Sequence, residues 1–177
     1  NEMNILQQAI TSIVKGVVVV IPTESSYSLV CDPFNKDALD KLFIKLNEFE
    51  QDSDEKSNLA LLVGDIEDLP RLISSLDESA QAKVIQHWPG PDELLFSEPQ
   101  NRLDKRLLRN KKIALKLPSS EYVLEILHSV GQPLACINLQ NNGFAVKSTR
   151  EVQFLDLLLV KLPTHFTTNK SQVIEVS

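Results

Sequence analysis

Four short segments of the sequence place hydroxyl, ammonium and amide side chains beside residues that end regular elements. They are Pro22-Thr23-Glu24-Ser25-Ser26-Tyr27-Ser28-Leu29, Lys45-Leu46-Asn47, Trp88-Pro89-Gly90-Pro91 and Ala135-Cys136-Ile137-Asn138. In open α/β sheets, ligands bind at the ends of strands, where the loops of neighbouring strands meet. We therefore expect the loops of Thr23, Lys45 and Asn138 to converge on one concave face and to form one binding site.

Several other kinds of site lack the residues that they need. Neither a G-x-G-x-x-G nor a Walker A sequence is present, so no standard nucleotide-binding loop is predicted. Cys31 and Cys136 are far apart, and His87, His128 and His165 are scattered, which argues against a zinc site and against a disulfide framework. A cysteine nucleophile is also disfavoured, because no histidine partner is indicated for either thiol.

The length and composition are those of an ordinary globular protein. The chain has 177 residues, of which 42% are hydrophobic and 24% charged, and it can bury a substantial core. Its longest apolar run, residues 17–21, is far shorter than the roughly 18 residues that a membrane span needs. We predict a single domain over residues 1–177 that stays in a reducing cytoplasm and does not contact a membrane.

The hydrophobic pattern alternates between strands and helices along the chain. Apolar runs predict strands over residues 17–21, 59–63, 93–97, 113–117, 134–137, 155–162 and 173–176, and helical periodicity predicts helices over residues 3–14, 38–46, 79–87 and 119–128. Residues 22–29 are predicted to form a loop, and the acidic segment 47–58 a mobile loop of unassigned role. This order predicts an α/β fold, a single-domain twisted mixed (parallel and antiparallel) open sheet with helices packed around it.

Together, the four segments resemble the YrdC-like family of threonylcarbamoyl-AMP synthases. The family reads P-T-E/D-T-x-Y-G-L, K-x-R, W-P-G-P-L-T, R-x-P and S-x-N, and this sequence keeps Pro22-Thr23-Glu24, Tyr27, Leu29, Lys45, Trp88-Pro89-Gly90-Pro91 and Asn138 in that order. Its tail Ser171-Gln172-Val173-Ile174-Glu175 is similar to the family's S-T-I-V-D. The sequence departs from the pattern at the family glycine (Ser28), at two arginines (Asn47 and Lys116), at the serine of S-x-N (Cys136) and at L-T (Asp92-Glu93).

The resemblance implies a YrdC-like fold and a two-stage reaction. L-Threonine and bicarbonate form a carbamate, whose oxygen attacks the α-phosphorus of ATP to give L-threonylcarbamoyl-AMP and pyrophosphate. ATP is then a substrate, and Mg²⁺ is held largely by its phosphate oxygens. The adenylate passes to downstream tRNA-threonylcarbamoylation enzymes, which complete the N6-threonylcarbamoyladenosine modification of tRNA.

The resemblance also implies roles for individual residues. It gives Lys45 and Lys56 as the catalytic cations. It gives the threonine substrate the binding residues Thr23, Tyr27, Lys116, Ala135 and Ser171. It gives the nucleotide the binding residues Lys45, Asn47, Cys136 and Asn138. Lys116 would hold the threonine carboxylate as a point charge, without the bidentate fork of an arginine. Asn47 carries no charge, so one cation that faces the phosphates in the family is missing.

Two other interpretations stay open at this point. The chain is a degenerate YrdC-like paralogue that binds RNA or a nucleotide without synthase activity, or it is a protein-interaction module. A net charge of −6 argues against a generally cationic nucleic-acid binder, but one basic stretch could contact tRNA through Arg102, Lys105, Arg106 and Arg109. The same stretch could be a solvated helix end, and the motif residues could be ordinary turn, wall and helix-end residues.

Overall fold

The computed structural model describes residues 1–50, 59–168 and 171–176. The strands are β1 (Val19–Pro22), β2 (Tyr27–Cys31), β3 (Leu59–Leu62), β4 (Glu93–Phe96), β5 (Ile113–Lys116), β6 (Leu134–Asn138), β7 (Gln140–Asn141), β8 (Phe144–Ala145), β9 (Leu158–Leu159) and β10 (Val173–Glu175). The α-helices are α1 (Glu2–Val14), α2 (Lys36–Phe49), α3 (Glu78–His87) and α4 (Glu121–Val130). Short 3-10 helices cover Ile66–Arg71, Lys105–Leu107, Thr149–Glu151 and Gln153–Leu155. None of the helices in these ranges has both the length and the apolar character needed to cross a membrane.

Eight of the strands form one open sheet in the order β10-β4-β5-β3-β6-β2-β1-β9. The pairs β10–β4, β5–β3 and β1–β9 are parallel. The pairs β4–β5, β3–β6, β6–β2 and β2–β1 are antiparallel. The predicted mixed sheet with helices around it is therefore confirmed.

The alternation of side chains along each strand divides the core between the two faces of the sheet. Leu29 of β2 and Ile137 of β6 belong to a larger apolar cluster that includes buried residues of α2 and α3. Val30 and Cys136, which are their neighbours in sequence, point to the opposite face and join a smaller cluster with α1 and α4. We call this second side of the sheet the α1/α4 face.

The segment after β1 is where the predicted secondary structure differs most. Residues 22–29 were expected to form a loop, but Tyr27–Cys31 is strand β2, which pairs with β1 on one side and β6 on the other. Only the turn between Pro22 and Tyr27 is irregular. The strand was obscured by its serine-rich approach, although its residues Leu29, Val30 and Cys31 are fully buried. Thr23 and Tyr27 therefore stand at the two ends of a hairpin turn.

Three other boundaries also differ from the predictions. Helix α2 extends to Phe49, so Asn47 lies in its last turn, and the rest of the predicted acidic loop, 51–58, lies outside the described residues. Helix α4 is capped by Ser120 rather than Ser119, whose backbone N–H donates to the Glu24 carboxylate at 2.6 Å. The strand predicted over 155–162 shrinks to Leu158–Leu159, because the chain before it folds into a 3-10 turn that ends at Asp156 with a φ of 55°.

A second hairpin, β7–β8, follows β6 and was not predicted. Its two turn residues, Asn142 and Gly143, have φ values of 52° and 81°. Both lie in the left-handed region that a two-residue type I′ hairpin requires, and asparagine followed by glycine is the sequence that favours it. The dipeptide was a readable signal, but the strands on either side of it are only two residues long.

The central position of β2 predicts a large difference between core and surface truncations. Leu29→Ala removes a fully buried side chain from the larger cluster and should lower the free energy of unfolding by about 2–5 kcal/mol. The matched control is Ile85→Ala on α3, where the side chain is 76% exposed and the change should stay within about 0.5 kcal/mol. Urea titrations of both variants measure the difference. Equal effects would contradict the described position of β2.

Candidate functional site

A chain of short contacts connects the β1–β2 turn to the end of β6. The Thr23 hydroxyl donates to the Ser26 carbonyl at 2.9 Å and lies 3.1 Å from the Ser28 hydroxyl. Ser28 donates in turn to the side-chain oxygen of Asn138 at 2.7 Å. The register that pairs Ser28 with Asn138 creates this contact, because directly opposed residues of antiparallel strands share a face. The structure thus brings Thr23 and Asn138 together through Ser28, a residue to which no role was assigned from sequence.

Cys136 lies beside this chain of contacts on the same face. Its thiol is 3.7 Å from the Asn138 side-chain oxygen, which is within reach of a weak S–H donor. Burial raises the pKa of the Cys136 thiol to about 11, although the nearby Lys116 ammonium lowers it. Burial and the neighbouring Asp32 likewise raise the pKa of Cys31 to about 12. Both thiols are therefore protonated at neutral pH, and Cys136 can act as a hydrogen-bond donor.

Lys116 is a buried cation at the end of β5. It is only 3% exposed, and none of the ion pairs formed by the described residues includes it. The register of β4 and β5 pairs Leu94 with Leu115, so Glu93 stands across from Lys116. The Glu93 carboxylate, however, binds Arg109 at 2.9 Å. The side chain is thus largely enclosed, and its charge has no acidic partner among the described residues, so this end of the sheet is suited to receive an anion.

The Trp88-Pro89-Gly90-Pro91 turn supports this end of β5. The indole N–H of Trp88 donates to the Asp92 carbonyl at 3.2 Å, and the Trp88 ring is buried in the larger cluster. The Gly90 N–H donates to the Leu117 carbonyl at 3.0 Å. Ser171 donates its hydroxyl hydrogen to the Pro91 carbonyl. These contacts join the turn to β5 and to the C-terminal segment, so Trp88 has a structural role here.

A cleft of about 370 Å³ opens beside Asn138. Its walls include Ser25, Asn138, Gln140, Lys147 and Ser171, so two of the predicted site residues face one cavity. The Ser25 hydroxyl is buried without a hydrogen-bond partner among the described residues. Sequence reasoning assigned no role to Ser25, Gln140 or Lys147. The Asn142-Gly143 turn was the available signal, since it folds the chain back and brings Lys147 beside Asn138.

Lys45 is not part of these contacts. Its ammonium donates to the Leu155 carbonyl at 2.6 Å and to the Glu48 carboxylate at 3.3 Å. Leu155 belongs to the larger cluster, on the side of the sheet opposite Cys136. Asn47 is exposed in the last turn of α2, and Lys56 lies outside the described residues. The expected convergence of three loops is therefore seen for the Thr23 and Asn138 loops and not for the Lys45 side chain.

Tyr27 and Ala135 also face the larger cluster. The Tyr27 ring packs edge-on against Phe166, with ring centroids 5.3 Å apart, and burial raises the pKa of its phenol. Ala135 is fully buried in β6, between β2 and β3. A methyl group enclosed in this way cannot touch a ligand on the α1/α4 face, so its position does not support the predicted substrate contact.

The predicted tRNA-contacting cations do not form one free basic surface. Arg106 pairs with Asp40 at 2.6 Å and with Asp104 at 2.9 Å, and the contact with Asp104 lowers the pKa of that carboxyl group. Arg109 is mostly buried and pairs with Glu93. Arg102 donates to a backbone carbonyl, and Lys105 is exposed. Two of the four charges are thus already balanced by acidic side chains.

Comparisons with known proteins identify the family of this chain. A sequence profile of the Sua5/YciO/YrdC family, described as "Telomere recombination", matches residues 11–157. A protein named threonylcarbamoyl-AMP synthase from Chromohalobacter salexigens is 29% identical over 140 residues, which are 78% of this chain and 72% of that protein. The profile match covers most of the chain.

Two solved structures share the fold. E. coli YciO superimposes with a TM-score of 0.81 at 23% identity, covering 100% of this chain and 85% of YciO. Pyrococcus abyssi Sua5, solved in complex with L-threonine, gives a TM-score of 0.78 at 21% identity and 99% coverage of this chain. This chain spans about half of that Sua5 protein, 51% of its length. The profile match and the shared fold lead to one conclusion: the chain belongs to the Sua5/YciO/YrdC family.

Proposed function

We propose that this protein synthesises L-threonylcarbamoyl-AMP from L-threonine, bicarbonate and ATP, for the N6-threonylcarbamoyladenosine modification of tRNA. The observation that carries the proposal is Lys116, a buried cation without an ion-pair partner among the described residues, on the same face as Ser28, Cys136 and Asn138. Relatives named threonylcarbamoyl-AMP synthase support the reaction type.

The amino-acid end of the site is assigned to Lys116. A buried ammonium attracts the carboxylate of an amino acid strongly, because little water screens the interaction. Ser171, on the C-terminal segment beside the Trp88 turn, and the Thr23–Ser28 contacts supply hydroxyl groups for hydrogen bonds to a small polar substrate. The L-threonine complex of P. abyssi Sua5, a structural relative, supports threonine as this substrate.

The nucleotide end is assigned to the cleft around Asn138. The substrate amine and bicarbonate give a carbamate, and a carbamate oxygen attacks the α-phosphorus of ATP while pyrophosphate leaves. Such a reaction asks the protein mainly for positioning and for stabilisation of negative charge. Asn138 and Lys147 supply a hydrogen-bonding amide and a positive charge at this cleft, and the buried Cys136 thiol contacts the Asn138 side chain. Mg²⁺ would be bound mainly by the phosphate oxygens.

Lys45 and Lys56 are the remaining candidates for the triphosphate, and Lys45 lies on the side of the sheet opposite Cys136. For Lys45 to bind a phosphate, its ammonium must exchange the Leu155 carbonyl and the Glu48 carboxylate for phosphate oxygens. The product would then be transferred to downstream tRNA-threonylcarbamoylation enzymes. Direct tRNA contact through Arg102, Lys105, Arg106 and Arg109 is the alternative function, as an RNA-binding paralogue without synthase activity. The ion pairs of Arg106 and Arg109 weigh against that alternative.

Pyrophosphate release tests the proposed function directly. The protein is incubated with ATP, L-threonine and bicarbonate, and each component is omitted in turn. We expect release only with the complete mixture. A protein that releases no pyrophosphate but binds tRNA, with an affinity that falls steeply with salt and is lost in Lys105→Ala/Arg106→Ala, would establish the alternative instead.

Restoring the missing family arginine should strengthen ATP binding. Asn47→Arg places a cation on the last turn of α2, two residues from Lys45. If position 47 faces the phosphates, a charge-assisted hydrogen bond of about 1.5–3 kcal/mol should tighten ATP binding roughly ten-fold or more. Calorimetric titration with ATP measures the change. The matched control is Lys41→Arg, at an exposed position six residues earlier on the same helix, which should leave ATP binding unchanged.

The raised pKa values of the two thiols predict slow alkylation. A cysteine whose pKa is raised from its ordinary value holds less thiolate at any pH below the folded pKa, and the thiolate is the reactive form. With pKa values of about 11 for Cys136 and about 12 for Cys31, iodoacetamide at pH 8 should modify native protein roughly a hundred-fold more slowly at Cys136 than in unfolded protein, and roughly a thousand-fold more slowly at Cys31. Mass spectrometry follows both sites. Rapid modification of native Cys136 would contradict its assignment as a neutral donor.

A further inference from the structure

The replacement of the family arginine by Lys116 removes a two-pronged donor from the site. A guanidinium can bind both oxygens of a carboxylate, whereas an ammonium binds it as a point charge. If Lys116 were the only cation near this end of β5, the carboxylate of the substrate would lack one charge-assisted contact. A second donor near Lys116 would restore that contact.

Arg109 lies in the segment before β5, and its guanidinium group is held at two points. Its Nε donates to the Leu59 carbonyl at 2.8 Å, and its Nη1 contacts the Glu93 carboxylate at 2.9 Å. Its Nη2 atom is buried and has no hydrogen-bond partner within the described residues. A buried donor left unpaired is unfavourable, so this one indicates a missing ligand.

The β4–β5 register relates the two cations through Glu93. Leu94 and Phe96 belong to the larger cluster, so Glu93 points to the α1/α4 face. Leu115 belongs to the larger cluster too, and Lys116 therefore points the same way as Glu93 and Cys136. Glu93 stands across from Lys116 in the strand pair and binds Arg109, so it is the acidic residue that neighbours both cations. Lys116, Arg109 and Glu93 together therefore carry a net charge of +1.

We propose that Arg109 is a substrate-binding residue whose Nη2 donates to the substrate carboxylate that Lys116 attracts. Glu93 and the Leu59 carbonyl hold the guanidinium in place, and the remaining donor points at the ligand. Lys116 and Arg109 then replace the single forked arginine of the family by two residues from different parts of the chain. This inference rests on the proposed function for the identity of the substrate as an amino acid with a free carboxylate.

The test is a comparison of two ligands that differ only at the carboxylate. L-Threonine and L-threoninol are titrated calorimetrically into wild-type protein and into Arg109→Lys, which keeps the positive charge but loses the Nη2 donor. We expect Arg109→Lys to weaken the binding of L-threonine by roughly ten-fold or more. The much weaker binding of L-threoninol should not change. The matched control is Arg102→Lys, at an exposed arginine of the same segment, which should leave both affinities as they are.

A second variant separates a binding role from a purely structural one. Glu93→Gln breaks the ion pair but leaves Arg109 free to donate, so L-threonine should bind as tightly as in wild type or more tightly. If Glu93→Gln and Arg109→Lys weaken L-threonine binding equally, the ion pair only maintains the shape of the site and the inference is overturned. Urea titrations of both variants report whether each is folded. If Arg109→Lys is unfolded, the double variant Arg109→Gln/Glu93→Gln takes its place, and we expect it to weaken L-threonine binding by the same factor.

The inference and the proposed function fail in distinguishable ways. Suppose that wild type binds L-threonine, that Arg109→Lys binds it much more weakly, and that wild type releases no pyrophosphate. The carboxylate site then stands and the synthase proposal falls. If pyrophosphate release requires L-threonine but its KM is the same in wild type and Arg109→Lys, the synthase proposal stands and the role of Arg109 is overturned. Absence of L-threonine binding to wild type overturns the inference as well.

Discussion

The antiparallel pairing of β2 with β6 is the constraint on which the site depends. It places Ser28 opposite Asn138 and Val30 opposite Cys136. Because successive residues of a strand point to opposite faces, a shift of one residue would move every one of these side chains into the larger cluster. The apolar neighbours Leu29 and Ile137 oppose such a shift, since they would have to leave that cluster. Burial on one face thus sets the positions of the polar groups on the other.

The charges at the ends of β4 and β5 are a second consequence of the same sheet. Burying an ionised group is unfavourable unless it is paired and hydrogen-bonded, and removing one partner of a buried pair leaves a larger penalty. Glu93 forms an ion pair with Arg109, but no acidic side chain among the described residues forms one with Lys116. The fold tolerates this arrangement, and binding of an anion would relieve it. In the proposed function, the affinity for an anionic substrate and this unfavourable charge distribution would have one physical origin.

The departures from the family motifs acquire different meanings once they are placed in the fold. Ser28, in the position of the family glycine, links Thr23 to Asn138 through its hydroxyl, so the substitution adds hydrogen bonds rather than only bulk. Asp92 binds the backbone of Gln172 at 3.1 Å and the ring of His87 at 3.1 Å, and so helps join the C-terminal segment to the Trp88 turn. Glu93 is the partner of Arg109. Each of these residues takes part in contacts that connect distant parts of the chain.

The sequence by itself determined the mixed α/β fold, most helix positions and the family. These depend on local hydrophobic periodicity and on the order of short motifs, which are written along the chain, as in the buried run of β3 and the Trp88 turn. Only the tertiary structure decided that Tyr27–Cys31 is a central strand and that Ala135 faces the core. It alone revealed the partners of Lys45 and the ion pair between Glu93 and Arg109. The physical reason is that the register between strands and the ends of long charged side chains depend on residues far away in sequence, whereas periodicity reports only on neighbours.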